Sequence, residues 1–285
     1  MKFAEEQHLS ALDTASRDIT ARPSKVRYVV LSMLLIATIL NYVDRSALGI
    51  VAPSLSKDLA LNKMQMGELF AAFGLAYSLA LLPSGILADV LGSRIAYALS
   101  LVGWSLATLT QGLANGYHML LGSRLTMGAL EAPAFPSNAR AVTLWFPTQE
   151  RGFATSVYVM GQYIGTPIFT GLLLWISAAA GWRSVFFVTG GFGILFSVIW
   201  FCAYRDPSRH RWVNKAELDY INESRTPSAQ KSREKFNWRM ALKLLGYRQI
   251  LAICLGKFCN NTILVFFTTW FMTYLAEARH MSMIK

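Results

Sequence analysis

An all-α membrane protein is the fold class that the sequence predicts, and three observations carry it. Of 285 residues, 54% are hydrophobic and only 15% charged, with a mean hydropathy of +0.37, a balance outside that of soluble domains. Apolar runs of roughly 20 residues, enough for a helix to cross a bilayer, recur along the chain. The first 27 residues, MKFAEEQHLSALDTASRDITARPSKVR, mix acids and bases without an apolar segment, so they are no cleavable signal and the first run is a retained helix.

Taken in order, the spans run from Tyr28 to Val51, Gly67 to Ala88, Ile95 to Ala114, Tyr117 to Ala141, Phe153 to Ala179, Arg183 to Tyr204 and Ile250 to Ala276. The first begins YVVLSMLLIATIL, too short to cross alone, so it must continue through NYVDRSALGIV before Pro53 ends it. GILADVLGSR breaks the second from the third as a loop, and short polar links separate the next four. One link is long: residues 205–249, charged and interrupted by Pro207 and Pro227, form a solvated linker in which VNKAELDYINES has helical spacing of Leu218 and Ile221. The resulting organisation is a tail at 1–27, a six-helix bundle at 28–204, the linker at 205–249 and a seventh span at 250–276.

Most of the 27 Lys and Arg lie on the side of the membrane that holds the N-terminus and the long linker, which places both in the cytoplasm. A net charge of +11 would raise nucleic-acid binding in a soluble protein, but here the bases sit in loops beside lipid. The partners expected are membrane lipids and a small ligand, with no nucleic acid. Cys202, Cys254 and Cys259 fall in or beside apolar runs, are expected to serve packing, and support neither a disulfide framework nor a zinc spacing. No metal cluster and no nucleophile with a base at recognisable spacing stands in the spans, and His8, His118, His210 and His280 lie at ends or in loops; an enzyme is not expected.

Charges inside spans are the exception to explain. Asp44 and Arg45 stand about 24 Å along the first helix, where a charge costs about 2.5–3.5 kcal/mol on insertion scales. Helical neighbours point about 100° apart, so each needs a partner elsewhere. The fourth span, GSRLTMGALEAPAFPSNAR, offers Arg124 and Glu131 two turns apart on one face. The four residues can balance one another, either as a structural ion-pair network or as a site. Asn41, Tyr42, Tyr77, Asn138, Gln162 and Tyr163 add polar groups within the spans, which suits a polyhydroxylated or carboxylate ligand. An arginine fork binds a carboxylate, and Asp44 or Glu131 could exchange protons as their arginines move, so an anionic substrate and proton coupling are expected together. Gly85, Gly92, Gly122, Gly128, Gly161 and Gly165 are expected to permit close helix approach, while Pro133, Pro136 and Pro167 loosen the backbone ladder.

GILADVLGSR, residues 85–94, resembles the loop signature of the major facilitator superfamily through Gly85, Leu87, Ala88, Asp89, Gly92 and Arg94; Val90 stands where that family usually has a basic residue. Read from the residues alone, Asp89 should sit near the start of the third helix and Arg94 adds inside-positive charge. NYVDRSALGIVAP at 41–53, EAPAFPSNARAVTLWFPTQERG at 131–152 and GWRSVFFVTGGFGILFSVIW at 181–200 resemble the anion:cation symporter family within it, particularly bacterial galactonate, glucarate and hexuronate permeases. The resemblance implies an N-terminal six-helix bundle of the major-facilitator type followed by a seventh helix. It also implies proton-coupled symport of a sugar acid across the inner membrane by alternating access, with Asp44 and Glu131 handling protons and Arg45 and Arg124 serving substrate and charge balance. Tyr42, Tyr77 and Gln162 fall at positions implied to contact the sugar acid, and Gly85, Asp89, Gly92 and Arg94 at the gating loop. No cofactor is implied beyond a proton gradient. The family has twelve spans, whereas this chain ends at Lys285 after its seventh, so a truncated frame is expected; the alternative function is a non-transporting half that binds or regulates.

Overall fold

The computed structural model describes residues 23–223, 243 and 246–279, and the expectations for the tail and for much of the linker lie outside them. Among the described residues every regular element is helical. Helix α1 runs Val26–Asp58, α2 Lys63–Gly112, α3 Tyr117–Glu131, α4 Ala134–Trp145, α5 Arg151–Ala180 and α6 Trp182–Ala203. A short 3-10 turn at Pro207–Arg209 precedes α7, Lys215–Glu223. The last span comprises α8, Arg248–Val265, a π-type turn at Phe266–Trp270, and α9, Phe271–Ala278. Four of these helices, α1, α2, α5 and α6, are long and apolar enough to cross a bilayer.

Several boundaries differ from the sequence expectation, each for a local reason. Helix α1 does not end at Pro53 but carries it internally and continues to Asp58. In lipid a helix is the cheapest way to satisfy the remaining backbone groups, so a proline costs less than an early end. No loop divides the second and third spans: residues 85–94 are helical except at Gly92, whose φ of 76° and ψ of 159° turn the chain sharply. That backbone conformation is open to glycine and strained for any L residue. The fourth expected span is broken into α3 and α4 at Ala132 and Pro133, because Pro133 supplies no N–H to continue the ladder of α3. At the start of α2, Asn62 and Gln65 cap the helix reciprocally, the Gln65 amide donating to Asn62 Oδ1 at 2.8 Å and the Asn62 amide to Gln65 Oε1 at 2.9 Å.

Helices α1 to α6 bury two apolar clusters stacked along α1. The cluster nearer the start of α1 gathers Val30, Leu34, Trp104, Trp145, Phe146, Trp200, Tyr204 and Ile221. The one at the far end gathers Leu48, Val51, Leu55, Leu69, Leu120, Val185 and Phe186. Close backbone approach uses only some of the expected glycines. A Cβ on Gly128 would lie 2.4 Å from Phe73 O, one on Gly161 3.1 Å from Leu35 O, and one on Gly165 3.2 Å from Ile39 O. Gly85, Gly92 and Gly122 face nothing within 4 Å, so helix approach does not explain them. The three cysteines are exposed rather than packed. The fourth-span arginine and glutamate, by contrast, are both sunk in the bundle, Arg124 at 2% and Glu131 at 0% exposure.

The linker segment that follows α6 returns to the start of α1. Buried Glu217 accepts the Ser24 hydroxyl and the backbone N–H groups of Val26 and Arg27 at 3.4 and 3.3 Å, capping α1 from outside its own sequence. Arg27 bridges Glu217 and Glu150 at 3.5 and 3.2 Å, and the Tyr220 hydroxyl donates to Glu150 at 2.7 Å. Of the two residues expected to carry the helical face, Ile221 is buried and Leu218 half-buried. At the opposite end Asp58 accepts from Trp182 Nε1 at 3.0 Å and Arg183 Nη1 at 2.8 Å, joining the end of α1 to the start of α6. The last span touches the bundle through its second half, where Trp270 meets Phe70 edge-on at 5.3 Å; α8 buries no residue.

Candidate functional site

The stretch Asn41–Arg45 of α1 lies where the two apolar clusters meet, one turn beyond Ala37 of the first and including Val43 of the second. Its polar groups therefore form a layer that apolar packing shields from both ends. Arg45 Nε donates to Glu131 Oε1 in a charge-assisted bond, with side-chain exposures of 17% and 0%. The Arg45 guanidinium lies over three rings, Tyr77 at 4.6 Å, Tyr42 at 4.8 Å and Phe73 at 5.1 Å. Such contacts contribute up to about 2 kcal/mol each when desolvated and fix the plane of the fork. Arg45 Nη2 and Glu131 Oε2 are buried and have no hydrogen-bond partner among the described residues. An arginine donor and a carboxylate oxygen thus remain unsatisfied beside a formed pair.

Arg124 does not balance Asp44, contrary to the expectation that the four charges close into one network. Its Nε donates to Leu69 O at 3.4 Å, its Nη1 reaches Met127 Sδ at 3.7 Å, and its guanidinium covers Phe73 at 4.9 Å. Asp44 instead accepts from Trp104 Nε1 at 3.1 Å and meets no ion-pair partner among the described residues. The physical reason is helical rotation: a residue about 100° from Arg45 faces the second arm of α2 and α6, while Arg45 faces α3. Asp44, Arg124 and Glu131 are buried and Arg45 is largely so, but only Arg45 and Glu131 join.

Of the other expected ligand contacts, Tyr42 and Gln162 meet directly, the tyrosine hydroxyl donating to Gln162 Oε1 at 2.9 Å. Tyr77 joins through Arg45 and stacks on Phe73 at 5.9 Å. Ser46 and Thr166 pair one turn further at 2.9 Å, so α1 and α5 share a polar seam. Asn138 donates to Thr38 Oγ1 at 3.4 Å, nearer the start of α1. Tyr163 is half exposed, on the neighbouring face of α5. Two members of the site escaped the sequence reading. Phe73 separates Arg45 from Arg124, and Trp104 holds Asp44 from 60 residues away. Aromatic residues are common in membrane spans, and nothing in their local spacing marks these two.

The residues of the 85–94 signature are not at this layer but at the sharp turn nearer the start of α1. Asp89 caps no helix; its Oδ1 pairs with Arg140 Nη1 at 3.3 Å, with 77% of the aspartate side chain exposed. Arg94 donates through Nε and Nη2 to Phe201 O at 3.0 and 2.7 Å, satisfying a carbonyl near the end of α6. Gly85 lies within the helix and Gly92 makes the turn.

The sequence profile of the Major Facilitator Superfamily matches residues 34–285. A D-galactonate transporter of Escherichia coli is 39% identical over 274 residues, covering 93% of this chain and 63% of its own length. A probable galactarate/D-glucarate transporter of Bacillus subtilis, GudP, is 38% identical over 284 residues, 96% of this chain and 62% of its own length. The chain therefore spans somewhat less than two thirds of these curated relatives. Among solved structures, the inward-facing, unoccupied form of a bacterial homologue of the human lysosomal transporter Spinster superposes with a TM-score of 0.68. At 24% identity over 91% of this chain and 57% of that one, it speaks for the fold alone. With spanning helices, a buried charged layer and the glycine turn agreeing with a profile that covers most of its length, the chain is a multi-pass membrane protein belonging to the major facilitator superfamily.

Proposed function

We propose that the chain supplies the first half of a proton-coupled symporter for a sugar acid, a hexonate, hexuronate or aldarate, in the inner membrane with its N-terminus in the cytoplasm. The observation that carries this reading is the Arg45–Glu131 pair, buried under three aromatic rings with one donor and one acceptor unused. A carboxylate ligand competes with Glu131 for the Arg45 fork. Protonating Glu131 removes the competing charge, so proton binding and anion binding favour one another. Asp44 takes or releases a proton without breaking an ion pair, which suits a second proton-handling role. Tyr42 and Gln162 offer hydrogen-bonding groups to hydroxyls, and Arg124 supplies a second positive charge shielded from lipid. The named relatives, described as galactonate and galactarate/glucarate transporters, support the substrate class.

Purified chain in proteoliposomes with an imposed pH gradient tests the reading through uptake of labelled galactonate and glucarate. Accumulation that Glu131→Gln abolishes, with Arg45→Ala losing ligand binding, is the expected result. Undiminished accumulation by Glu131→Gln removes its proton role. Saturable binding without accumulation in the unmutated chain favours the alternative, a half that binds or regulates.

A further inference from the structure

Asp44 is nearly alone in its burial. It is 1% exposed, and the oxygens around it are largely idle: Asp44 Oδ1, Ser105 Oγ and Thr189 Oγ1 are buried with no hydrogen-bond partner among the described residues. A Cβ on Gly193 would sit 2.0 Å from Ser105 Oγ and 4.0 Å from Asp44 Oδ2, so α6 comes close to both the α1 and α2 walls here. The charged groups nearest Asp44 are Arg45 on its own helix and Glu131 on α3, which are bound to each other. The one formed hydrogen bond to its side chain comes from Trp104 Nε1, at 3.1 Å from Oδ2, and the Thr189 hydroxyl is the other donor beside the carboxylate.

That donor is held with unusual firmness. Trp104 is fully buried and meets Tyr97 edge-on at 6.1 Å; Tyr97 meets Trp200 edge-on at 4.7 Å; Trp200 stacks on Tyr204 at 4.4 Å with planes 9° apart. All four rings have 0% exposure. The Trp200 indole donates to Arg94 O at 3.3 Å, two residues past the Gly92 turn. The column therefore runs from Asp44 to the turn of the 85–94 signature, and close packing leaves Trp104 little freedom to swing its N–H away.

We propose that Trp104 is a positioning residue for Asp44: its indole N–H, clamped by the Tyr97–Trp200–Tyr204 column, fixes the orientation of the carboxyl group that exchanges the proton. The inference rests on the proton-handling reading of Asp44 given above. It goes beyond that reading in naming the group that sets which carboxyl oxygen is free: Oδ2 is occupied, and Oδ1 is left without a hydrogen bond. Trp104 acts through Asp44, to which its indole N–H donates.

The test uses the purified chain in nanodiscs and infrared difference spectra between pH 9 and pH 4. The band of a protonated carboxyl that Asp44→Asn removes is followed in Trp104→Phe and in a chain carrying 3-benzothienylalanine at 104. The second side chain keeps the shape of the indole and lacks the N–H. A shift of the Asp44 band to higher wavenumber in both variants is expected, because its carbonyl loses a donor. In the uptake assay, loss of this charge-assisted hydrogen bond predicts a loss of gradient-driven accumulation of about tenfold or more. Ligand affinity should stay within about twofold, since Arg45 and Tyr42 are untouched. An unmoved band in the benzothienyl variant overturns the inference while leaving Asp44 as a proton carrier. Absence of any band sensitive to Asp44→Asn overturns the proton reading of Asp44 itself, and the inference with it.

Discussion

Replacing Gly128 by alanine gives the sharpest test of how the site is held. The added Cβ meets Phe73 O at 2.4 Å, Tyr77 N at 3.0 Å and Ala76 Cβ at 3.2 Å. The two nearest atoms are backbone and cannot rotate away. Restoring an ordinary contact requires α2 and α3 to separate by nearly 1 Å, an overpacking cost of about 1–3 kcal/mol. Alanine recovers about 1 kcal/mol of helix propensity, so the backbone clash, at the top of that range, leaves about 2 kcal/mol of net loss. That corresponds to a fall in thermal midpoint on the order of 4–8 °C. The displaced turn carries Phe73 and Tyr77, two of the rings against Arg45, so affinity for the anion should fall with stability. Gly122→Ala is the matched control on the same helix, with nothing within 4 Å, and should be neutral or slightly stabilising. Thermal unfolding of the two variants in one detergent reads the difference directly. Equal midpoints within about 1 °C would refute the claim that α2 and α3 meet through Gly128.

Glu217→Ala should release α7 from the start of α1, because two α1 amides lose their cap; buried unsatisfied donors cost about 1–3 kcal/mol each, and hydrogen exchange in 215–223 should quicken at least tenfold. The same docking should weaken in acid. Burial beside Trp145, at 5.4 Å between ring centroids, holds His210 below the usual imidazole value of 6.5, so stability present above that pH is lost as pH falls toward the folded-state value. Protection factors in 207–223, with exchange corrected for its base catalysis, should accordingly be higher at pH 8 than at pH 5.5, and His210→Gln should flatten that dependence. Asp89→Asn should shift the thermal midpoint little, under about 1 kcal/mol, since the Asp89–Arg140 pair is largely exposed; a large drop would show that the pair carries fold stability. Tyr42→Phe removes the hydroxyl from Gln162 and should weaken sugar-acid binding by about 0.5–1.5 kcal/mol in a direct binding assay, with proton-driven uptake retained at saturating ligand.

Much of the site was legible because lipid makes polar residues conspicuous. Asp44, Arg45, Arg124 and Glu131 stand out in apolar runs at a cost that must be recovered somewhere; three of them are buried in the bundle and Arg45 is largely so. Their pairing was not legible. Arg45 and Glu131 are 86 residues apart, and nothing local distinguishes that pair from one between Asp44 and Arg124. Helix ends were equally hard to place where two rules compete: Pro53 reads as a stop, yet the hydrocarbon penalises an open backbone more than it penalises one missing hydrogen bond.

Composition and span length by themselves determined that the chain is a helical membrane protein with charges buried in its first and fourth spans, because hydrophobic thickness and desolvation act on local sequence. Tertiary structure alone decided which charges meet, that Trp104 rather than Arg124 faces Asp44, and that Gly128 rather than Gly122 lets two helices touch. Those outcomes depend on the rotation and separation of helices far apart in the chain, and close packing fixes both only when all the spans are present together.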